Sequence, residues 1–382
     1  MVYYFPDYYY EFECIADKCP DSCCSAGWQI VIDDNTMQRY EIFDSEEKST
    51  HNEEDILIDI KNKINTDEKI FCQNEDKSCV FLNEKNLCKL YLKYKEDGFC
   101  KTCHKYPRHT EEFEGLCEEN ISISCPEVAR IILSKTDRIK FISQEDSVED
   151  DIYEDFNYML HSILLDTRDV MFNILQNRNY SIDERAGMVL GLARDIQRKY
   201  DNGDVFSSNT LLDYALTEMA YDESKEKIQN WINNKEKRFD FISRNFRNLF
   251  RMEILDLNWE RRLLETDTLL HLKGIKKYEN IREEFEQYMK NMFPNYDIMN
   301  EHILVYFVYT YLCGAVYDDN IYAKAKLSVL SIYFIKELLM ALWVKNEKEL
   351  TFEEIIETVY KFSRELEHSD PNLNMFDKLY KV

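Results

Sequence analysis

The chain has 382 residues, of which 45% are hydrophobic and 14% aromatic, so it is long enough to bury a sizeable core. Only eight glycines and six prolines occur, which argues against a turn-dense β sandwich and against an extended disordered chain. The formal net charge is −25, so we expect no nucleic-acid or membrane partner, because such partners are bound by clustered basic faces. A charge of this sign can attract a cationic group such as a lysine side chain, although acidic proteins are also common in the cytoplasm.

The N-terminal region is predicted to contain short strands and helices joined by loops. Trp28–Ile32 has the composition of a short strand. Further along, Cys125-Pro126-Glu127 predicts the start of a helix, with proline at the first helical position and an acid in the first turn. The acidic stretch from Asp137 to Asp151 predicts a connection between two regions.

The second region is predicted to be helical throughout. Apolar residues recur there at a spacing close to 3.6 residues. Ser181–Glu184 and Thr351–Glu354 fit capping boxes, and Asp370-Pro371 can start a last short helix. The sequence therefore predicts a mainly α protein with two domains. Residues 1–140 would form a cysteine-rich, metal-binding domain of short strands and helices, and residues 141–382 an all-helical body.

The distribution of cysteines indicates a metal centre. The chain begins without a basic segment followed by an apolar one, so no secretory signal is predicted. The apolar run Ile303–Tyr317 is shorter than the ~20 residues that a spanning helix needs, so it predicts a buried helix in a soluble, cytoplasmic protein. Structural disulfides are rare in that compartment. Eleven of the twelve cysteines fall between Cys14 and Cys125, which indicates metal ligation, whereas Cys313 is predicted to be a core thiol.

The residues alone leave zinc and an iron–sulfur cluster open, because thiolate-rich sites suit both. Cys100 and Cys103 have the spacing that zinc fingers use in two pairs, and no second such pair occurs. Cys23 and Cys24 are adjacent, and the side chains of two adjacent cysteines seldom both bind one tetrahedral ion. His104 lies beside the cysteine pair. A histidine in this position more often hydrogen-bonds to a metal ligand than binds the metal itself.

Three cysteine motifs, taken together, resemble a known family. Cys19-x3-Cys23-Cys24, then Cys79-x-Phe-Leu-x5-Cys88-x-Leu-Tyr, then Cys103-x-x-Tyr106-Pro107 resemble the CxxCxxCC family, of which YkgJ-type proteins are the simplest. A longer branch, the flagellin lysine N-methylases, is matched by three further stretches, Gly27-Trp28, Tyr106-Pro107-Arg108 and Ser124-Cys125-Pro126-Glu127. These motifs cover residues 14–130, and the helical body after residue 140 carries none that we can match.

The resemblance implies transfer of methyl groups from S-adenosylmethionine to lysine side chains of flagellin, with an iron–sulfur cluster, of the [4Fe–4S] type, at the matched cysteines. Zinc stays the alternative metal. The short motifs carry over six ligands, Cys19, Cys23, Cys24, Cys79, Cys88 and Cys103. The longer pattern adds Cys14, Cys100 and Cys125. A [4Fe–4S] cluster needs four thiolates, so several of these nine must have another role.

Neither familiar motif for S-adenosylmethionine is present. No glycine-rich turn follows a strand, and the third cysteine of the radical CxxxCxxC motif would fall on Ala26. If the protein is a methyltransferase, we therefore expect a pocket of its own kind, at the cluster or where the cluster meets the helical body. No catalytic base is assigned, and the rival hypothesis is a non-enzymatic metal-binding or interaction protein.

A few residues near the motifs are candidates for holding the amine or the sulfonium, although each also suits a structural role. They are Trp28, His104, Tyr106, His109 and Glu127.

Overall fold

The computed structural model describes residues 1–47, 59–146, 156–204 and 207–381. Within these ranges the chain is mainly helical, as predicted, and its strands all lie before residue 146. The described strands are β1 (Val2–Pro6), β2 (Ile64–Asn65), β3 (Ile70–Phe71), β4 (Arg108–Phe113), β5 (Leu116–Ile121) and β6 (Phe141–Glu145). The described α-helices are α1 (Asp34–Glu47), α2 (Lys89–Tyr94), α3 (Lys101–Lys105), α4 (Pro126–Ser134), α5 (Tyr158–Leu175), α6 (Ile182–Asp201), α7 (Ser208–Ala215), α8 (Glu218–Asn233), α9 (Lys235–Phe246), α10 (Leu257–Thr266), α11 (Ile275–Met292), α12 (Tyr296–Tyr311), α13 (Ile321–Lys345), α14 (Phe352–Glu367) and α15 (Asp370–Tyr380).

Two hydrophobic cores are separate in space. The smaller one lies under the cysteine motifs and consists of Ile32, Tyr40, Ile60, Ile64, Phe71, Phe81, Leu90 and Cys100. We call the parts of the chain that pack on it, residues 28–47 and 59–103, the small lobe. The larger core joins the helical body to β1, β5 and α4. The predicted boundary between domains at residue 140 stays a prediction.

A four-stranded sheet connects the N-terminal residues to the helices. Its strand order is β4-β5-β1-β6, with β1 parallel to β5 and the other pairs antiparallel. The hydroxyl of Tyr309 on α12 lies 2.6 Å from the carbonyl oxygen of Tyr4 and 3.1 Å from that of Glu119. Arg168 of α5 donates two hydrogen bonds of 2.6 Å to the buried carboxylate of Glu118 on β5. These contacts fix the end of β5, and with it the Ser122–Cys125 loop, against the helices.

The helical body confirms the local predictions. Both capping boxes form, at Ser181 and Thr351, and the last helix begins at Asp370 with Pro371 in its first turn. The apolar run forms the buried α12 and the 3₁₀ turn Leu312–Val316.

The sequence analysis did not single out α13, the most membrane-like of the described helices. By length and composition α13 could cross a membrane, but 83% of its most apolar stretch is buried inside the protein. It is packed as the central helix of a core.

Two predictions for local structure are wrong. Trp28–Ile32 forms a single bridge between Val31 and Ile70 instead of a strand, and its partner β3 is only two residues long. Residues 141–145, predicted as connection, form β6 because β1 offers them an unpaired edge. The rest of that predicted connection, from residue 147, lies outside the described residues.

Candidate functional site

The structure brings the nine predicted ligand cysteines into one region. The loop after Cys19 reaches the second motif through a hydrogen bond of 2.7 Å from the Cys79 amide to the Cys24 carbonyl oxygen. Cys88, of the same second motif, and Cys100, next to the third, lie close enough that both thiols act electrostatically on that of Cys79. Negative charge on any one of these thiols therefore raises the pKa of the others.

A second group of thiols lies around the first motif. Charge on Cys23 and on Cys14 raises the pKa of Cys19, after the larger effect of burial. Burial raises the pKa of Cys125 to about 12, and the charges of Cys19 and Cys23 add to it. Cys23 thus links the two groups.

In two cysteine pairs one thiol is easier to ionise than the other. The Cys24 thiol donates to Cys23 and lowers the pKa of Cys23 to about 7. In the same way Cys103 lowers the pKa of Cys100 to about 7. The donor of each pair, Cys24 or Cys103, has its pKa raised by that bond. Each pair thus has one thiol that ionises near neutral pH, and the thiolate is the form that binds a metal.

Of the three cysteines outside the predicted set, Cys117 and Cys313 lie elsewhere, whereas Cys72 lies beside the second motif, where its carbonyl oxygen accepts from the amide of Val80. Cys117 is on β5 beside Glu119, and Cys313 is in the helical core beside Arg168. Cys72 follows β3, and its amide donates to the carbonyl oxygen of Lys63. The clustered cysteines supply the type of ligand atom, sulfur, that a thiolate-bound metal needs. Across the described part of the chain, however, no three Cys, His, Asp or Glu side chains converge closely enough to hold one ion. Which thiols are ligands stays a prediction.

Trp28, which follows the double cysteine, lies where the cysteine motifs meet the helical body. Its ring centre is 5.4 Å from that of Tyr106 and 4.3 Å from that of His368, just after α14. The guanidinium of Arg364 on α14 lies 5.4 Å from the Trp28 ring centre. Two motif aromatics and two side chains from the last part of the chain thus form one cluster.

Ser124, from the third family stretch, belongs to the same cluster. Its hydroxyl lies 2.8 Å from Nε2 of His368 and 3.2 Å from the hydroxyl of Tyr106. Burial, aided by the positive charge of Arg364, lowers the pKa of His368 to about 4. His368 is therefore neutral at physiological pH, and it can exchange hydrogen bonds with Ser124 without bringing a charge into the cluster.

Arg364 connects the cluster to the first cysteine motif. Its Nη1 is 2.9 Å from the carboxylate of Asp21, its Nη2 donates to the Asp21 carbonyl oxygen, and its Nε donates to the carbonyl oxygen of Ser124. The side chain is buried and also lies over the ring of Tyr360. A single guanidinium therefore ties the loop between Cys19 and Cys23 to α14.

Two clefts are lined in part by Trp28. The first, which we call the thiol cleft, has a volume of about 580 Å³ and is lined by cysteines from all three motifs, Cys23, Cys24, Cys79 and Cys103. Its other walls are Tyr106 and His368, and Lys101, Lys105 and Arg108 outnumber its one acid, Asp33.

The second, which we call the acidic cleft, has a volume of about 490 Å³ and lies between the small lobe, α10 and α14. Its aromatic walls are Trp28, Trp259 and Tyr360. Five carboxylates line it against three cationic side chains, and they are those of Asp21, Asp76, Asp256, Glu357 and Glu365. Trp28 is common to both clefts.

The structure places the other candidates from the sequence analysis, those for holding the amine or the sulfonium, in different surroundings. Trp28 and Tyr106 lie at the junction. His104 is exposed and lies 3.7 Å from Glu96, and His109 pairs with Glu111 on β4. Glu127 lies 3.6 Å from Arg130 on α4, in the role of a charge at a helix start.

Sequence analysis missed the C-terminal half of the site. Arg364 and His368 carry no motif, and their only local signal was a position near the end of an amphipathic helix. Asp21, within the first motif, was treated as a spacer between cysteines.

Comparisons with known proteins support the lysine N-methylase resemblance, through a family match that lies in the helical body. Residues 168–381 match the family model of the FliB lysine N-methylase C-terminal domain. Over 132 residues, 35% of this chain, the sequence is 27% identical to the flagellar biosynthetic protein FliU of Salmonella muenchen and covers 77% of that protein. It is also 27% identical over 132 residues to the lysine-N-methylases of Salmonella typhimurium and Salmonella choleraesuis, but spans only 32% of the length of each. No solved structure shows significant similarity. Since the family model covers more than half of the sequence, this chain belongs to the FliB lysine N-methylase family.

Proposed function

We propose that the protein is a protein lysine N-methyltransferase that uses S-adenosylmethionine to methylate lysine side chains of flagellin in the cytoplasm. The observation that carries the proposal is the match of residues 168–381 to the lysine N-methylase family. The names of the relatives, one a flagellar biosynthetic protein and two lysine-N-methylases, support a flagellar protein as the acceptor.

The thiol cleft is our proposed site for the methyl donor. S-adenosylmethionine carries an adenine ring, a carboxylate and a sulfonium. The rings of Trp28 and Tyr106 offer surfaces for the adenine or the sulfonium, and Lys105 and Arg108 offer charges for the carboxylate. This location agrees with the expectation of a pocket where the cysteine motifs meet the helical body.

Methyl transfer requires a neutral amine. The lysine nitrogen forms the new bond to the methyl carbon while the bond from that carbon to sulfur breaks, and the ammonium proton must leave first. Because the reference pKa of lysine is ~10.4, a site that removes water or offers a proton acceptor is needed.

The nine clustered cysteines are our proposed source of ligands for an iron–sulfur cluster, with zinc as the alternative. They are Cys14, Cys19, Cys23, Cys24, Cys79, Cys88, Cys100, Cys103 and Cys125. When bound, such a cluster would supply folding energy and a local charge beside the thiol cleft.

Methyl transfer is tested by incubating the anaerobically purified protein with methyl-labelled S-adenosylmethionine and unmodified flagellin, followed by peptide mass spectrometry. We expect label on flagellin lysines, and inhibition by S-adenosylhomocysteine. If flagellin stays unlabelled while the protein retains its metal, the protein is not a flagellin methyltransferase, and the non-enzymatic binding hypothesis takes its place.

The donor site is tested with Lys105→Glu, which reverses a charge at the thiol cleft. It should weaken binding of S-adenosylmethionine, measured by calorimetry, without changing the unfolding temperature. Lys85→Glu is the control, because Lys85 is also exposed and lines neither cleft. Equal affinities for the two variants would contradict the assignment of the donor to the thiol cleft.

A further inference from the structure

The helix α10 carries apolar side chains on two of its faces. One face, which includes Trp259 and Leu263, is buried in the larger core. The other face, continued just beyond the helix, presents three leucines to solvent. These are Leu257, Leu264 and Leu272, which are 79%, 52% and 65% exposed, and we call them the leucine stripe. Several large apolar side chains exposed along one face are typical of an interaction surface.

Helix geometry keeps the three leucines in line. Leu257 and Leu264 are two turns apart, so they share one face of α10. Beyond α10 the helix continues as the π-helical turn Asp267–His271, and a π turn holds more residues than an α turn. The eight positions from Leu264 to Leu272 therefore return to the same face. The stripe is about 22 Å long at 1.5 Å per residue.

A small groove lies beside the middle of the stripe, at the level of Leu264. It has a volume of about 120 Å³, runs between α10 and α13, and has an apolar floor of Leu269, Leu338, Ala341 and Leu342. The charges at its rim are already paired. Glu265 accepts a hydrogen bond of 2.8 Å from Lys345, and Arg262 pairs with Glu357. The groove therefore suits an apolar side chain better than a charged one.

Opposite charges flank the two ends of the stripe. Glu253 and Glu260 lie towards its first leucine, and Lys273, Lys276 and Lys277 follow its last, all of them exposed. Glu253 accepts a hydrogen bond of 2.7 Å from the hydroxyl of Ser369. None of the five is in a salt bridge with another residue that the structure describes. In a chain of net charge −25, three neighbouring lysines without an acidic partner can attract carboxylates of another molecule.

This pattern is complementary to itself. In a pair of copies related by a twofold axis near Leu264, the two stripes run antiparallel. The acidic end of each copy then meets the basic end of the other, and Leu257 meets Leu272 of the partner subunit. Each Leu264 comes beside the groove of the other copy. An anionic membrane or an unrelated acidic protein would match the lysines but would have no counterpart for the acidic end.

We propose that the leucine stripe is the interface of a homodimer, in which two copies of α10 pack antiparallel about a twofold axis near Leu264. A single pair of helices buries less area than a standard interface, so the dimer is weak, with a Kd of about 1–100 µM. This inference does not depend on the proposed methyltransferase activity.

Leu264→Glu tests the interface in the full-length protein with its metal retained. Sedimentation velocity between about 1 and 300 µM should show a reversible equilibrium of monomer and dimer in the wild type. The substitution places two carboxylates next to each other at the twofold axis and should raise the dimer Kd at least about tenfold. Leu216→Glu is the control, because Leu216 follows α7 and is 44% exposed. It should leave the dimer Kd and the unfolding temperature unchanged.

A charge exchange tests the antiparallel arrangement. Glu260→Lys and Lys273→Glu should each raise the dimer Kd about three- to tenfold at low salt, because each brings like charges together across the twofold axis. The double variant should return to the wild-type Kd. Within one chain the two positions are about 20 Å apart along the helix, so their charges can compensate only between subunits.

The contrary outcomes are distinct. A protein that stays monomeric at every concentration overturns the inference, and so does a dimer that Leu264→Glu leaves intact, which would use another surface. A double charge variant no tighter than the single ones overturns the antiparallel arrangement. If Leu264→Glu instead weakens binding to flagellin or to anionic vesicles, with the oligomeric state unchanged, the stripe serves that partner and the homodimer is wrong.

Discussion

At the scale of single residues, Arg364 joins parts of the chain that are far apart in sequence. It contacts Asp21, 343 positions earlier, and Ser124, 240 positions earlier. Burial opposes its charge, but the nearby Tyr106 and Asp21 raise the pKa of the guanidinium, so it stays protonated. Arg364 is therefore one of the contacts that align the cysteine motifs with the family-matched helices.

Replacing Arg364 by Met should destabilise the protein by about 2–4 kcal/mol, because Asp21 would lose its partner in a largely buried site. Arg130→Met is the matched control: its ion pair with Glu353 is exposed and should contribute only about 0–1 kcal/mol. Urea unfolding of both variants gives the free energies. Equal losses would mean that the Asp21 contact is no stronger than a surface pair.

The pH dependence of the free energy of unfolding should reveal the titration of Glu365. Burial raises its pKa from 4.5 to about 7; the amides of Leu255 and Asp256 oppose this, and the charges of Asp256 and Glu253 add to it. Because the folded protein holds this proton more tightly than the unfolded chain, the contribution of Glu365 to stability is greatest below pH ~4.5. It falls as pH rises to ~7 and then levels off, by about 3 kcal/mol in all.

Glu365→Gln should remove this loss, so that the variant gains about 3 kcal/mol relative to the wild type between about pH 4 and pH 8. The comparison is needed because His368, whose pKa is lowered, contributes in the opposite sense as pH falls from 6.5 towards 4. Urea unfolding across this range gives the difference. Parallel pH profiles would show that Glu365 titrates normally.

At the scale of elements, α14 carries much of the site, and its start was predictable. Thr351 and Glu354 form a reciprocal capping box, which depends only on residues three apart. The strand predicted at Trp28–Ile32 failed for the opposite reason. Its apolar side chains find partners in other elements, which no local pattern reveals.

Thr351→Ala should cost about 1 kcal/mol of stability, since the amide of Glu354 loses its side-chain acceptor. Thr351→Ser keeps that acceptor and should cost much less. Thermal unfolding of the two variants measures the difference. Binding of flagellin and S-adenosylmethionine should be unchanged in both, because Thr351 lines neither cleft. If serine proves as costly as alanine, the cap does not stabilise α14.

At the scale of the whole molecule, the two hydrophobic cores differ greatly in size. The core of the small lobe has eight buried residues, whereas the other one extends through the helical body and the sheet. A core of eight residues contributes little net stability by itself, and small units of this kind are usually held by metals or disulfides. All twelve cysteines are free thiols. A metal is therefore the expected source of the missing stability.

Replacing Cys23 and Cys24 together by Ala should abolish bound iron and leave the small lobe open to proteolysis, while the helical body unfolds at its former temperature. Iron and sulfide analysis, absorption spectra and limited proteolysis measure these effects. Cys313→Ala is the control and should retain the metal, because Cys313 is buried in the other core. Loss of iron in the Cys313 variant, with retention in the double variant, would show the ligand assignment to be wrong.

The sequence by itself determined the helical body, the capping boxes and the identity of the cysteine motifs. These features depend on residues within a few positions of one another, so their spacing can be observed in the chain. Tertiary structure alone decided that Trp28 faces His368, that Asp21 binds Arg364 and that two clefts of opposite charge share one ring. Such partners are hundreds of residues apart, and they meet only because the larger core fixes the sheet, the Ser124 loop and α14 together.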